Sequence, residues 1–228
     1  MNEEKKPYEF LPITAQTVEK DTQERVSTIA AEFRHAFDFI KKFQKSVTFF
    51  GSARFTEDNP HYQAARALAG RIVRELGCTI ITGGGPGIME AANRGAIDER
   101  GVSVGLNIKL STEQRENPFL TDFMEFHYFF SRKVALSFAA EAYVYFPGGA
   151  GTLDEFFEIF TLIQTNKIQG KVPMILVGED YWRPFDSFIR NTLLEKHHTI
   201  NTDATELYTI TEDSEQILNI IKNAPIRE

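Results

Sequence analysis

Short apolar runs alternate with segments of helical spacing along most of this chain, and that alternation restricts the folds open to it. SVTFFG (46–51), CTIIT (78–82), VSVGLNI (102–108), FMEFHY (123–128), AYVYF (142–146), VPMILV (172–177) and LYTI (207–210) read as strands. Residues 61–76, 86–99, 131–140, 152–164, 181–196 and 214–222 read as the helices between and after them. Most of the strands are continuously apolar and do not alternate with polar residues. That pattern marks strands covered on both faces, as in a parallel sheet with helices on each side. The expectation is an α/β fold with a doubly wound parallel sheet and helices on both faces.

An N-terminal helical extension precedes the sheet. Val26, Ile29, Phe33, Phe37, Ile40 and Phe43 recur at steps of three and four, which predicts an amphipathic helix over 23–44. Residues 1–22 are polar and lack periodicity, so a flexible arm is expected there. No linker or internal repeat divides the rest, and 23–228 is read as a single nucleotide-binding domain.

Composition excludes several function classes. The net charge is -7 and no Lys/Arg block stands out, so nucleic acid is a poor partner. A small anionic ligand is still compatible, because local amides and one or two arginines outweigh a weak global field. The single cysteine, Cys78, rules out a disulfide framework and fits a reduced, cytoplasmic setting. The N-terminal MNEEKKPYEF has no apolar signal region, and no run approaches the length of a membrane span, so no membrane partner is expected. The five histidines lack ligand spacing, and no metal site is expected.

The chemistry is concentrated in two glycine turns. Ile80-Ile81-Thr82 runs into Gly83-Gly84-Gly85-Pro86-Gly87 and then a helix. Tyr143-Val144-Tyr145-Phe146 runs into Pro147-Gly148-Gly149-Ala150-Gly151-Thr152 and then another. In a parallel sheet both turns lie at the C-terminal edge of the strands, where such sheets bind ligands. Glycine lets the backbone approach closely, and the first amides of a helix attract an anion. Pro86 suits the first helical position, and Thr152 adds a hydroxyl. A phosphate would satisfy these donors. Neither turn matches a P-loop or G-x-G-x-x-G, and the strand ending in Asn107 lacks the acid that would hold an NAD ribose.

Charged residues flank the second turn. Asp154 and Glu155 are placed in the first helical turn, where acids offset the dipole. Leu153, Phe156, Phe157 and Phe160 direct much of this helix to the core, so Glu155 is placed to face a ligand, with the dipole favouring its ionised form. Arg132 and Lys133 open a helix, where positive charge opposes the dipole; ligand contact and solvated surface both account for them. Glu90, Asn93 and Arg94 on the first glycine helix are weaker candidates.

GGGPGIMEAANRGA (83–96) and PGGAGTLDE (147–155) resemble the two signatures of the LOG family, the cytokinin riboside 5′-monophosphate phosphoribohydrolases once labelled possible lysine decarboxylases. FFGSAR (49–54) and SRK (131–133) match further segments, and the resemblance covers about 45–210. It implies a Rossmann-like fold, a homodimer or an assembly of dimers, and hydrolysis of the N-glycosidic bond of a nucleoside 5′-monophosphate without metal or organic cofactor. By motif match, Arg132 and Glu155 are the catalytic pair. Gly148, Gly149, Gly151 and Thr152 hold the phosphate with Ser52 nearby. Gly84, Gly85, Gly87, Glu90, Lys133 and Arg54 follow as looser substrate contacts. Glu90 stands where many plant-like members have glycine, which makes AMP a safer substrate than a cytokinin nucleotide.

Two other readings stay open. A phosphate cup also suits pyridoxal phosphate, with Lys133 or Lys109 as the Schiff-base lysine, although no acid partner for the pyridine ring is singled out. A nucleotide sensor, or a carrier like those of the molybdenum cofactor, would keep the cup and lack turnover.

Overall fold

The structure is a computed structural model and describes residues 15–108, 116–168 and 172–225. Its strands are β1 (Ser46–Phe50), β2 (Thr79–Thr82), β3 (Ser103–Ile108), β4 (Asp122–Phe126), β5 (Ala142–Tyr145), β6 (Met174–Leu176) and β7 (Tyr208–Ile210). They form one seven-stranded sheet in the order β4-β3-β2-β1-β5-β6-β7. All six pairings are parallel. The chain winds outward from β1 through β2, β3 and β4, then returns to the other side of β1 as β5.

Helices cover both faces. On one face lie α2 (Pro60–Leu76), α3 (Ile88–Asp98) and α7 (Ser214–Lys222), packed on Val47, Phe49, Ile80, Val144 and Ile175. On the other lie α1 (Ala15–Ile40), α4 (Phe129–Ser137), α5 (Ala150–Gln164) and α6 (Glu179–Phe188), packed on Phe50, Ile81, Leu106, Tyr143, Tyr145 and Leu176. Neighbours along β5 show why the strands read as continuous apolar runs: Tyr143 and Tyr145 enter one layer, Ala142 and Val144 the other.

Four sequence expectations change. The first helix runs over Ala15–Ile40 rather than 23–44, so part of the expected arm is helical; residues 1–14 lie outside the described residues. The helix expected over 181–196 is α6 followed by a π-helical turn, Ile189–Lys196. Pro86 is not the first residue of α3, because Gly87 is the N-cap. Asp154 and Glu155 are not in the first turn of α5, which begins at Ala150 and holds no acid there. The glycine turn is shorter than expected, and the helix starts before Thr152.

The N-terminal helix also supports the site. Glu32 of α1 accepts the amides of His127 (2.8 Å) and Tyr128 (3.2 Å), and the Ser131 hydroxyl donates to it. Tyr128, the N-cap of α4, supplies no side-chain cap of its own. Glu32 thus puts negative charge at the start of a helix whose own first turns carry Arg132 and Lys133.

Candidate active site

The connections after β1 and β5 leave the sheet in opposite directions. The crevice between two such strands is where open α/β sheets take ligands. Backbone bonds tie the surrounding loops together. The Ser52 amide donates to the Pro147 carbonyl (2.9 Å), and the Ile88 amide donates to the Ser52 carbonyl (3.0 Å). Gly87 makes this approach feasible: its φ is +71°, and a Cβ there would lie 2.2 Å from the Ser52 oxygen.

The first glycine turn is held from behind. Asn117 donates its amide to the Gly84 carbonyl (3.0 Å) and its Nδ2 to the Gly85 carbonyl (3.0 Å). The Gly84 amide donates to Thr82 Oγ1 (2.9 Å). The second turn is pinned by the Tyr181 hydroxyl, which donates to the Gly148 carbonyl (2.9 Å). Gly149, the N-cap of α5, offers no side-chain cap, leaving the helix N-terminus available to an anion.

These loops enclose a cavity of about 660 Å³. Ser52, Arg54, Gly84, Gly85, Arg132, Gly148, Gly149, Gly151, Thr152 and Glu155 all line it, from four separate parts of the chain. Three expected contacts are not among its lining. Gly87 serves the loop packing just described. Glu90 accepts the Tyr62 hydroxyl at 2.8 Å. Lys133 Nζ lies 2.8 Å from Asp154 Oδ2 and 3.6 Å from Glu158 Oε2, so it is committed to acids on α5.

Arg132 is fixed by backbone. Its Nε donates to the Leu106 carbonyl (2.6 Å), and its Nη2 reaches the Gly83 carbonyl (3.4 Å). Burial lowers its pKa while the Glu155 charge opposes that effect. A guanidinium stays charged even so.

Glu155 is 8% exposed, and its Oε2 has no hydrogen-bond partner among the described residues. Burial pushes its pKa up to about 7, against the pull of Lys133 and Arg132. This corrects the sequence expectation of an acid kept ionised by the helix dipole. Glu155 sits beyond the first turn, where that dipole fades, and desolvation outweighs both cations. A carboxyl poised near neutrality exchanges a proton readily.

Sequence reasoning missed Asn107, Glu116, Phe129 and Tyr181 as cavity residues. Asn107 left a signal, a polar residue closing an apolar strand, which was read only as the absence of an acid. Nothing local marks the others. Among the described residues no three His, Cys, Asp or Glu side chains are grouped to hold a metal ion. No helix there is long and apolar enough to cross a membrane.

The family model described as "Possible lysine decarboxylase" matches residues 89–221, more than half of the chain. The chain belongs to this family, the LOG family. One LOG-family relative is the cytokinin riboside 5′-monophosphate phosphoribohydrolase of Rhodococcoides fascians, 29% identical over 153 residues, covering 66% of this chain and 77% of that protein. Another is the pyrimidine/purine nucleotide 5′-monophosphate nucleosidase of Escherichia coli K12, 30% identical over 160 residues; the match covers 62% of this chain and 35% of that longer protein. Among solved structures, the molybdenum cofactor binding protein of Rippkaea orientalis superposes with a TM-score of 0.57 at 18% identity, over 78% of this chain and 96% of that one. At that identity the likeness speaks for the fold alone.

Proposed function

We propose that this chain hydrolyses the N-glycosidic bond of a nucleoside 5′-monophosphate, with AMP the first substrate to try, releasing free base and ribose 5-phosphate. The observation that carries this reading is Glu155. Its buried carboxylate has an unpartnered oxygen and shares one cavity with the uncapped N-terminus of α5 and with Arg132. The names of the two nucleotide-cleaving relatives support the same reaction class.

The chemistry follows from that arrangement. The phosphate docks at the α5 N-terminus against Gly148, Gly149, Gly151 and Thr152, and its binding energy positions the distant C1′–N bond. As that bond breaks, positive charge grows on C1′ and O4′. The ionised Glu155 stabilises this charge from its buried position on the cavity wall. Water supplies the oxygen of the new C1′–O bond and gives its proton to the carboxylate. The leaving base takes up a proton from solvent and the carboxylate then releases the one it accepted, so that one water is consumed in all. Arg132 secures the phosphate side of the ribose and offsets the carboxylate charge.

The rival chemistries gain less support. A pyridoxal phosphate enzyme needs a free lysine at the cup, and Lys133 is engaged by Asp154 and does not itself line the cavity. Lys109 lies outside the described residues. A carrier would bind nucleotide or cofactor without turnover. Chromatographic assay of base release from AMP, CMP, GMP and adenosine decides between these. The expected result is base from at least one monophosphate, with adenosine slower by orders of magnitude for want of several charge-assisted hydrogen bonds at about 1.5–3 kcal/mol each. Equal turnover of AMP and adenosine overturns the phosphate cup. Release from none of the monophosphates overturns hydrolysis.

A further inference from the structure

Buried asparagines in this layer of the fold are satisfied, with one exception. Asn93 Oδ1 accepts from Thr82 (2.6 Å) and Asn117 (3.0 Å), and its Nδ2 donates to Ser103 (2.8 Å). Asn117 bonds Gly84, Gly85 and Phe119. Asn107 differs. It is 7% exposed and lines the cavity, yet its Oδ1 has no hydrogen-bond partner among the described residues. A buried acceptor left unmet costs about 1–3 kcal/mol, so a ligand is the natural partner.

The fold also makes room for this carboxamide. A Cβ on Gly84 would lie 1.6 Å from Asn107 Oδ1, and one on Gly105 would lie 2.8 Å from it. Two glycines therefore keep the space that the side chain occupies. Its position beside the reacting groups is fixed as well. The carbonyl of the preceding residue, Leu106, holds Arg132 Nε at 2.6 Å, and Arg132 feels the charge of Glu155.

The chemistry of the missing partner can be read from the two orphans. Among the described residues, the buried cavity atoms without partners are Asn107 Oδ1 and Glu155 Oε2. Both are acceptors. A phosphate cannot meet them, since it offers acceptors of its own. They require neutral O–H or N–H donors, and adjacent ribose hydroxyls supply two. We infer that Asn107 reads the sugar: its carboxamide oxygen accepts a hydrogen bond from one ribose hydroxyl of the bound nucleotide, while Glu155 faces the reacting side of the same ring. This rests on the phosphoribohydrolase reading for the identity of the sugar. It adds a specificity residue that discriminates ribose from deoxyribose, because a site that bonds a hydroxyl strongly rejects the analogue lacking it.

The test compares AMP, 2′-deoxy-AMP, 3′-deoxy-AMP and IMP on the wild type, Asn107→Leu and Asn107→Asp, with folding checked by circular dichroism. The wild type should prefer AMP over one of the deoxy analogues by about ten-fold or more in kcat/KM. Asn107→Leu should lose that preference by slowing AMP and sparing the analogue. Asn107→Asp, which keeps an acceptor oxygen, should retain it; it also carries the test if the leucine variant does not fold. A wild type that cleaves AMP and the deoxy analogues alike overturns the inference and leaves the hydrolase reading standing. So does an Asn107→Leu variant that slows every nucleotide equally. If only the ratio of AMP to IMP changes, the amide reads the base and the sugar assignment falls. Should the wild type cleave none of these, calorimetry with the same nucleotides reads the discrimination as affinity. An Asn107-dependent preference for the hydroxyl then upholds the inference although hydrolysis has failed, and absence of binding overturns both.

Discussion

Lys133 Nζ sits 2.8 Å from Asp154 Oδ2, and this contact separates two adjacent pairs of charges by role. Lys133 and Asp154 form an outer ion pair, with the Asp154 side chain 61% exposed. Their sequence neighbours, Arg132 and Glu155, are the more enclosed cation and acid of the cavity. Base release by acid-to-amide variants tests that division. Glu155→Gln should cut turnover by roughly 100–1,000-fold, the scale of losing one preorganised electrostatic contact, while nucleotide still binds. Asp154→Asn should change stability by less than about 1 kcal/mol and leave turnover near normal. The reverse ranking would mean that the acids are assigned the wrong way round.

Glu155 should impose opposite pH trends on activity and stability. If the ionised carboxylate drives cleavage, kcat/KM for AMP rises with pH through about 7, where this group titrates. Its folded pKa is raised above the ordinary 4.5, so between these values the folded chain holds a proton that the unfolded chain has lost. Stability therefore falls as pH climbs through that window, by about 3 kcal/mol in full. Glu155→Gln removes the penalty. Melting curves should show the variant gaining on the wild type from pH 5 to pH 8.5, on the order of 5–10 °C at the alkaline end. A difference that is constant with pH would show that the folded-state pKa of Glu155 is not raised.

Gly87→Ala should act through the backbone. The substitution needs an alanine at φ +71°, with its methyl 2.2 Å from the Ser52 carbonyl oxygen. The strain costs about 1–3 kcal/mol, read as a fall in Tm. The displaced Ser52 loop should also raise KM for AMP. An unchanged Tm would contradict the close packing of these loops.

Association is expected through α1 and α4. Of the phenylalanines of α5, Phe157 alone is partly exposed, at 36%. Phe156 and Phe160 are buried in an aromatic cluster with Trp182 and Tyr208. On α1 and α4, Phe37 is 41% exposed, Phe129 58% and Phe130 46%, with Phe33 packed 6.2 Å from Phe130 between ring centres. Such a patch favours a second copy. Light scattering at micromolar concentration should give at least a dimer, and Phe37→Glu with Phe130→Glu should give a folded monomer. A monomeric wild type would count against this assembly.

Strand and helix placement was legible because short apolar runs and glycine turns are local signals, and the observed strand ends fall within two residues of those read from sequence. The glycine cup and Glu155 were legible for the same reason, since one continuous segment carries both. What escaped depended on contacts between distant segments. Nothing near Glu155 announces that desolvation outweighs Lys133 and Arg132. Asn107 becomes notable only when Gly84, from another strand connection, is found against its carboxamide. On residue type and position alone Lys133 carries the same two explanations as Arg132, and Asp154 beside it commits it to an ion pair.

The bond network of Glu32 has a practical consequence for anyone shortening this protein. Cutting the chain just before Ser46 would keep every strand and each of the glycines discussed above. It would also discard the carboxylate that receives the amides of His127 and Tyr128, and with it the anchor at the start of the helix bearing Arg132. A unit that keeps this anchor is therefore larger than the sheet and its loops, and takes in α1 from Glu32 onward.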